Sequence, residues 1–234
     1  MLALGIETST QHTSIALGTE LGTVASASLG GDRPSHELVM PVVEQLLDWS
    51  GSSLGQVGGV AVGLGPGLFT GMRVGVATAK TLAQTLAVPI VGIASLDVLA
   101  FMHRHARRLV CAVLDAKRQE VFYAFYRPVP AGVTREGGFE VGPPAHLAAE
   151  LNARAEDVLL VGSGSLVYRR LLEDVVGPVE FASAERAYPA ATALVELAIP
   201  RFLREDFDRL YDVRPYYVRK SDAEIAWDQR AGAG

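Results

Sequence analysis

The chain has 234 residues, with 21 Lys and Arg against 26 Asp and Glu, so its formal net charge is −5. Hydrophobic residues make up 49% of it, enough for a packed core, which excludes a wholly disordered protein. The acidic balance argues against a dedicated nucleic-acid clamp, because such a clamp needs a basic surface. The single cysteine, Cys111, excludes an internal disulfide and a cysteine-based zinc site.

The first half of the chain predicts three strands followed by alternating helices and strands. We expect strands at residues 2–8, 12–17, 22–29, 57–63 and 89–93, and helices at 35–49, 73–87 and 95–104. Pro41 predicts a kink or a late start in the first helix. The longest uncharged stretch, residues 49–72, contains eight glycines and is unsuited to a membrane helix. No basic segment precedes the first strand as in a signal peptide, so we expect a cytoplasmic protein.

The second half repeats this order of elements. It predicts strands at 109–115, 120–127, 138–141, 158–161 and 178–181, and helices at 143–153, 165–174 and 189–203. Three antiparallel strands followed by alternating helices and parallel strands form a mixed sheet covered by helices. We therefore expect an α/β fold of two tandem ribonuclease-H-like domains, the actin-like ATPase architecture, at residues 1–105 and 106–234.

Two loops are candidates for binding phosphate. The turn after the first strand carries three hydroxyls, Thr8, Ser9 and Thr10, and turn amides can form an anion-binding concavity. The glycine-rich loop at 63–73, with Gly65 and Gly67, precedes a helix, a common place for anions. The alternative for the first loop is a polar hairpin whose hydroxyls satisfy its own backbone.

The predicted helices at 35–49 and 73–87 are apolar over an unusually wide arc. The second carries only two charged residues, Arg73 and Lys80, which lie on one face. One explanation is that the two helices pack together on the sheet. The other is a partner surface, whose candidate residues are Leu38, Val39, Val42, Val43, Leu46, Met72, Arg73, Val76, Ala79, Lys80 and Ala83.

No catalytic or metal-ligating residue is predicted. His103 and His105 are two apart, so one helix does not present both to one metal. Glu7 is a candidate first acid of a nuclease, but the predicted fourth strand carries no second acid. The basic run Arg104, Arg107 and Arg108 has two readings, a solvated helix end or a phosphate contact.

Four segments of the chain resemble the TsaB (YeaZ-type) family: residues 5–9, 65–75, 114–122 and 215–219. The resemblance implies a non-catalytic subunit of the machinery that makes threonylcarbamoyladenosine next to the anticodon of bacterial tRNA. It also implies a catalytic TsaD-type partner, a TsaE-type ATPase joining through the complex, and tRNA contacted indirectly. The resemblance further implies a homodimer when the chain is alone, formed through the first two helices, on the surface that the catalytic partner would cover.

The chain departs from the catalytic members of the wider family. Leu96 and Ala100 align with their pair of metal-binding histidines, and leucine and alanine do not bind metal. Ala116, Lys117 and Arg118 replace their glycine-rich phosphate turn, and residues 161–164 only weakly resemble their adenosine-binding turn. We therefore expect this chain alone to bind no cofactor. Whether ATP or ADP binds within the complex is left open.

Two alternative functions remain at this point. One is a small actin-like ATPase or phosphotransferase that uses Thr8, Ser9 and Thr10. The other is a metalloprotease, which the absent histidine pair disfavours. The sequence also leaves open whether residues 215–219 and Trp227 dock on a partner or fold back.

Overall fold

The computed structural model describes residues 1–31 and 33–219, so Trp227 lies outside the described residues. Within them the first half contains, in chain order, β1 (Leu2–Glu7), β2 (Thr13–Thr19), β3 (Gly22–Leu29), α1 (Ser35–Trp49), β4 (Val57–Gly63), α2 (Phe69–Leu86), β5 (Ile90–Ile93) and α3 (Ser95–Phe101). A short 3₁₀ turn, Leu54–Gln56, precedes β4.

The second half contains β6 (Leu109–Lys117), β7 (Glu120–Val129), β8 (Gly132–Gly142), α4 (Pro144–Arg154), β9 (Val158–Val161), α5 (Ser163–Val167), α6 (Arg169–Glu173), β10 (Val179–Phe181) and α7 (Ala191–Leu203). Another 3₁₀ turn, Ala184–Arg186, precedes α7. Within the described residues no helix combines the length and the apolar character needed to cross a bilayer.

Each half forms one five-stranded mixed sheet with the same topology. The first sheet has the order β3-β2-β1-β4-β5, and the second has β8-β7-β6-β9-β10. In the first, β1 pairs antiparallel with β2 and parallel with β4. In the second, β6 pairs antiparallel with β7 and parallel with β9. The predicted α/β architecture of two ribonuclease-H-like, actin-like sheets covered by helices is confirmed.

The helices cover both faces of both sheets. Alternate residues of a strand point to opposite faces, so Leu4 and Ile6 pack under α1 and α2 whereas Ala3 packs under α7. Helix α3 packs on β6 and β8 of the second sheet, and α4 and α6 lie together on its other face. Helices α3 and α7 therefore each cover the sheet of the other half, and the domain boundary at residue 105 stays a prediction.

Several element boundaries differ from the sequence prediction. Helix α2 begins at Phe69 rather than at Arg73, because the glycines of the loop let its first turn approach β1. Helix α1 runs through Pro41 without a break. The helix predicted at 165–174 is two short helices, α5 and α6, and β8 is longer than the strand predicted at 138–141.

Candidate functional site

A cavity of about 610 Å³ lies between the turns of the two halves. The β1–β2 turn contributes Thr10 and Gln11 to its wall, and the β6–β7 turn contributes Ala116, Lys117 and Arg118. Phe122 of β7, the end of the glycine-rich loop with the start of α2, the segment before α1 and residues 216–219 also line it. The cavity therefore occupies the cleft where the sequence predicts a phosphate site.

Glu7 is the last residue of β1, just before the β1–β2 turn, and is completely buried. Its Oε1 accepts a hydrogen bond from the Ser9 backbone N–H at 2.7 Å, and its Oε2 accepts one from the Ser95 hydroxyl at 2.8 Å. The Ser95 oxygen in turn accepts one from the Gly65 N–H at 3.1 Å. Burial raises the pKa of Glu7, while the bonds from Ser9 and Ser95 oppose that rise. Glu7 thus joins β1, the glycine-rich loop and the start of α3, and does not face the cavity.

The glycine-rich loop packs directly onto the turn after β1. The Thr8 hydroxyl donates to the Gly71 carbonyl at 2.7 Å, and the Leu68 N–H donates to the Ser9 carbonyl at 2.6 Å. A Cβ at Gly67 would overlap the Ser9 carbonyl oxygen, and one at Gly71 would overlap that of Thr8. Glycine is required at these positions because the two backbones touch.

This packing corrects the predicted phosphate site. Thr8 and Ser9 are fully buried, and neither they nor Gly65 lines the cavity. Thr10 and Gly67 do line it. The Thr8 hydroxyl bonds to the glycine-rich loop rather than to its own hairpin, and the buried Ser9 hydroxyl has no hydrogen-bond partner among the described residues. Of the three hydroxyls, Thr10 bonds within the turn, to the His12 carbonyl at 3.4 Å, as the polar-hairpin alternative expects.

The cavity has a cationic wall that sequence reasoning missed. Its described lining includes Arg33, Lys117, Arg118 and Arg219 but no carboxylate. Lys117 forms an ion pair with Asp115 at 2.9 Å, and Arg219 forms one with Glu120 at 2.6 Å. Lys117, Arg118 and Gln119 all have left-handed backbone angles, with φ of 61°, 53° and 61°. Such angles are uncommon for residues other than glycine, and the sequence gives no sign of them.

The described part of the tail folds back on the chain. The Tyr216 N–H donates to the Leu64 carbonyl at 2.7 Å, and the Tyr217 hydroxyl accepts from Arg73 Nε at 3.0 Å. Val218 packs on the core of the second half. Of the two alternatives for residues 215–219, the structure therefore shows folding back across both halves.

The predicted partner seam on the first two helices stays a prediction, but eight of its eleven residues are little exposed. These eight are buried inside the chain itself: Leu38, Val39, Val43, Leu46, Met72, Val76, Ala79 and Ala83. Six of them, all but Leu38 and Met72, belong to the core that packs α1 and α2 on the first sheet and on each other, which is the alternative explanation of the wide apolar arc. Lys80 donates to the Val213 carbonyl, and the Arg73 guanidinium lies over the Phe69 ring. Val42 remains partly exposed.

The exposed face of α2 is distinct from the predicted partner seam. It presents Thr70, Arg73, Ala77, Thr81, Gln84 and Thr85, with Val74 and Thr78 half-buried at its margins. The charged residues of this 18-residue helix are Arg73, in its second turn, and Lys80, which the tail engages. The exposed face of a helix that meets only water is usually rich in charge, and this one is not.

No candidate metal site is present in the described part of the chain. There, no group of three or more His, Cys, Asp or Glu side chains is placed to hold a metal ion. Leu96 and Ala100, which stand in place of the histidine pair, are fully buried. The basic run lies between the end of α3 at Phe101 and the start of β6, and within it Arg104 pairs with Glu196 and Arg108 pairs with Glu180.

Comparison with known proteins gives consistent results. Residues 31–227 match the family model described as TsaD, tRNA N6-adenosine threonylcarbamoyltransferase. The chain is 30% identical to the tRNA threonylcarbamoyladenosine biosynthesis protein TsaB of Bacillus subtilis, over 97% of this chain and 98% of that one. It is 27% identical to the TsaB of Escherichia coli, over 99% of both chains.

Solved structures agree with these sequence comparisons. The structure of YeaZ from Pseudomonas aeruginosa superposes with a TM-score of 0.78 at 27% identity, covering 93% of this chain and 99% of that one. The family model covers most of the chain, and the relatives match it from end to end. The chain belongs to the TsaB (YeaZ) branch of this family, the proteins of tRNA threonylcarbamoyladenosine biosynthesis.

Proposed function

We propose that this chain is a non-catalytic partner subunit in the transfer of threonylcarbamoyl to the tRNA adenosine next to the anticodon. It acts by forming a heterodimer with a catalytic TsaD-type subunit in the cytoplasm, and a TsaE-type ATPase joins through that complex. The TsaB relatives and the match to the TsaD family model support the pathway and the choice of partner.

The observation that carries the heterodimer is the exposed, almost uncharged face of α2. Ala77, Thr81 and Thr85 are small, so another helix can approach this face closely. None of the three is charged, so burying them does not remove a charge from water. The Thr81 hydroxyl is already bonded to the Ala77 carbonyl at 2.9 Å. Val42 and Val74 add apolar area beside it. The partner surface is therefore the outer face of α2 with the adjoining edge of α1.

The geometry of the cleft supports a non-catalytic role. Glu7 is the only acid at the end of β1, and it is held by Ser9 and Ser95 away from the cavity. Thr8 and Ser9, which an actin-like ATPase or phosphotransferase would turn toward a phosphate, are buried under the glycine-rich loop. The catalytic groups then come from the TsaD-type subunit, as does most of the surface that contacts tRNA.

An arginine on the proposed partner surface should break the heterodimer. In the Ala77→Arg variant a long charged side chain stands on the exposed face of α2, and we expect the affinity for the catalytic subunit to fall at least about tenfold, or 1.4 kcal/mol. Isothermal titration calorimetry with the purified TsaD-type protein measures this.

Ala149→Arg is the matched control for this measurement. Ala149 is an exposed alanine in the middle of α4, so the substitution is the same in kind but lies on the second half. The Ala149→Arg variant should bind the catalytic subunit with the affinity of the wild type. Equal binding by the Ala77→Arg variant would place the partner on another surface, and no binding by the wild-type chain would contradict the heterodimer.

A further inference from the structure

Arg73 is the charged side chain on the exposed face of α2, a helix that the structure describes throughout. It lies four residues before Ala77 and eight before Thr81, a spacing that places all three in one row along the helix. The other charged residue of the helix, Lys80, is directed to the tail, where it bonds to the Val213 carbonyl. Arg73 therefore marks the N-terminal end of the proposed partner surface.

Two aromatic residues hold the Arg73 guanidinium in place. Its Cζ lies 3.8 Å from the centroid of the Phe69 ring, so that ring covers one face of the guanidinium plane. Its Nε donates a hydrogen bond to the Tyr217 hydroxyl at 3.0 Å, and the centroids of the Phe69 and Tyr217 rings are 5.3 Å apart. The two terminal nitrogens, Nη1 and Nη2, have neither a hydrogen-bond acceptor nor an ion-pair partner within residues 1–31 and 33–219.

The positive charge of Arg73 does not stabilise its own helix. Arg73 is the fifth residue of α2, near the end at which the helix dipole opposes a cation. The helix contains no Asp or Glu that could form an ion pair with it one turn away. Holding the tail through Tyr217 uses a single N–H group and requires no charge. The charge is therefore available to a group on another molecule.

A carboxylate is the group that this arrangement fits. With Nε engaged, the two terminal nitrogens form the edge of the guanidinium that binds a carboxylate through two parallel hydrogen bonds. Phe69 and Tyr217 already order the side chain, so binding loses less side-chain entropy than it would with an unrestrained arginine. A helix that packs along Ala77 and Thr81 passes beside Arg73, because the three residues lie in the same row.

We propose that Arg73 forms an ion pair with an aspartate or glutamate of the catalytic subunit, and that Tyr217 is the positioning residue that presents Arg73 to it. This inference rests on the proposed function, since it names the chemistry of the same surface. It adds two roles that the small residues of α2 do not fill. The ion pair selects a partner with an acidic group at this point, and the tail takes part in forming the interface.

The test measures the affinity of the full chain for the purified catalytic subunit by isothermal titration calorimetry at about 50 and 500 mM NaCl. At the lower salt concentration the Arg73→Gln variant should bind at least about tenfold more weakly than the wild type. The difference should shrink at the higher salt concentration, because salt screens the ion pair. Arg73→Lys keeps the charge but not the parallel donors, so its affinity should lie between the two, which excludes misfolding as the cause of the loss.

A double-mutant cycle tests the role of Tyr217. Tyr217→Phe keeps the ring and removes the hydroxyl that accepts from Arg73. It should weaken binding about threefold in the wild-type background and leave the affinity of the Arg73→Gln variant unchanged. No loss in the wild-type background, or an equal loss in both backgrounds, would show that Tyr217 does not act through Arg73 and would overturn its positioning role.

Arg170→Gln is the matched control. Arg170 is an exposed arginine in α6 of the second half, so this variant should bind like the wild type. Wild-type affinity of Arg73→Gln, or a loss of the same size at both salt concentrations, would overturn the ion pair. If Ala77→Arg still lost binding in that case, the proposed function would stand without the ion pair. No binding by the wild-type chain would overturn both.

Discussion

Replacing Glu7 with alanine should lower the free energy of unfolding by about 2–4 kcal/mol. The Ser9 N–H and the Ser95 hydroxyl would each lose their acceptor in a site that water does not reach, and a cavity would remain where the carboxyl group was. Chemical denaturation followed by circular dichroism measures the change. An effect below about 0.5 kcal/mol would show that Glu7 does not hold β1, the glycine-rich loop and α3 together.

Glu7→Gln is the matched control, because it keeps the shape of the side chain and one carbonyl acceptor. We expect it to be destabilised by less than the alanine variant, and to differ from the wild type in pH dependence. The pKa of Glu7 is raised in the folded chain, so the folded state holds the proton more tightly than the unfolded state. The free energy of unfolding of the wild type therefore falls as pH rises from 4.5, the ordinary pKa of glutamate, through the raised pKa of Glu7.

The glutamine variant has no such ionisation at position 7. Relative to it, the wild type should lose stability as pH rises through that window and keep a constant difference below it. Denaturation midpoints of both proteins at a series of pH values measure this difference. A difference that did not change with pH, or that favoured the wild type as pH rose, would contradict the burial of Glu7 as the cause of its raised pKa.

Gly71→Ala should also be destabilising, by about 2–4 kcal/mol. Alanine is normally the better residue within a helix, by about 1 kcal/mol. Here the added methyl group would overlap the Thr8 carbonyl oxygen, which belongs to the buried turn after β1 and has no room to move. Thermal and chemical unfolding of the variant measure the effect.

Gly55→Ala is the control for the glycine substitution. Gly55 lies in the 3₁₀ turn before β4, its φ is negative, and no atom lies within 4 Å of the position that a Cβ would take. We expect a change within about 0.5 kcal/mol of the wild type. A stabilised Gly71→Ala variant would mean that α2 does not start in contact with β1.

The fold was largely predictable because each element leaves its own pattern in the sequence. The β-rich run of β1, the helical spacing of α1 and the glycines that end β4 are local signals, and the order of elements then limits the topology. The start of α2 was misplaced by four residues, from Arg73 to Phe69, because glycines usually mark a loop. At Gly71 the residue is instead needed for contact between helix and turn.

The sequence did not predict which elements cover the apolar arc of the first two helices, and the cause is physical. An apolar arc shows that a helix face is buried, but it does not show whether the same chain or another protein covers it. Val39, Val43 and Val76 are covered by the first sheet and by the neighbouring helix. The observation that supports the proposed partner surface is a different one, an exposed face with Ala77 and Thr81 where charged residues would be expected. The cationic wall was also missed, because the left-handed turn at Lys117 and Arg118 depends on the hairpin and not on glycine.

The most direct test of the partner role is reconstitution of threonylcarbamoyl transfer to tRNA with purified subunits. The assay compares the TsaD-type subunit alone, this chain alone, and both together, with the TsaE-type ATPase and threonylcarbamoyl-AMP supplied in each case. We expect transfer only when both chains are present, and a reduced rate at subsaturating concentration when Ala77→Arg replaces the wild type. Full transfer by the catalytic subunit without this chain, or transfer by this chain alone, would contradict the account.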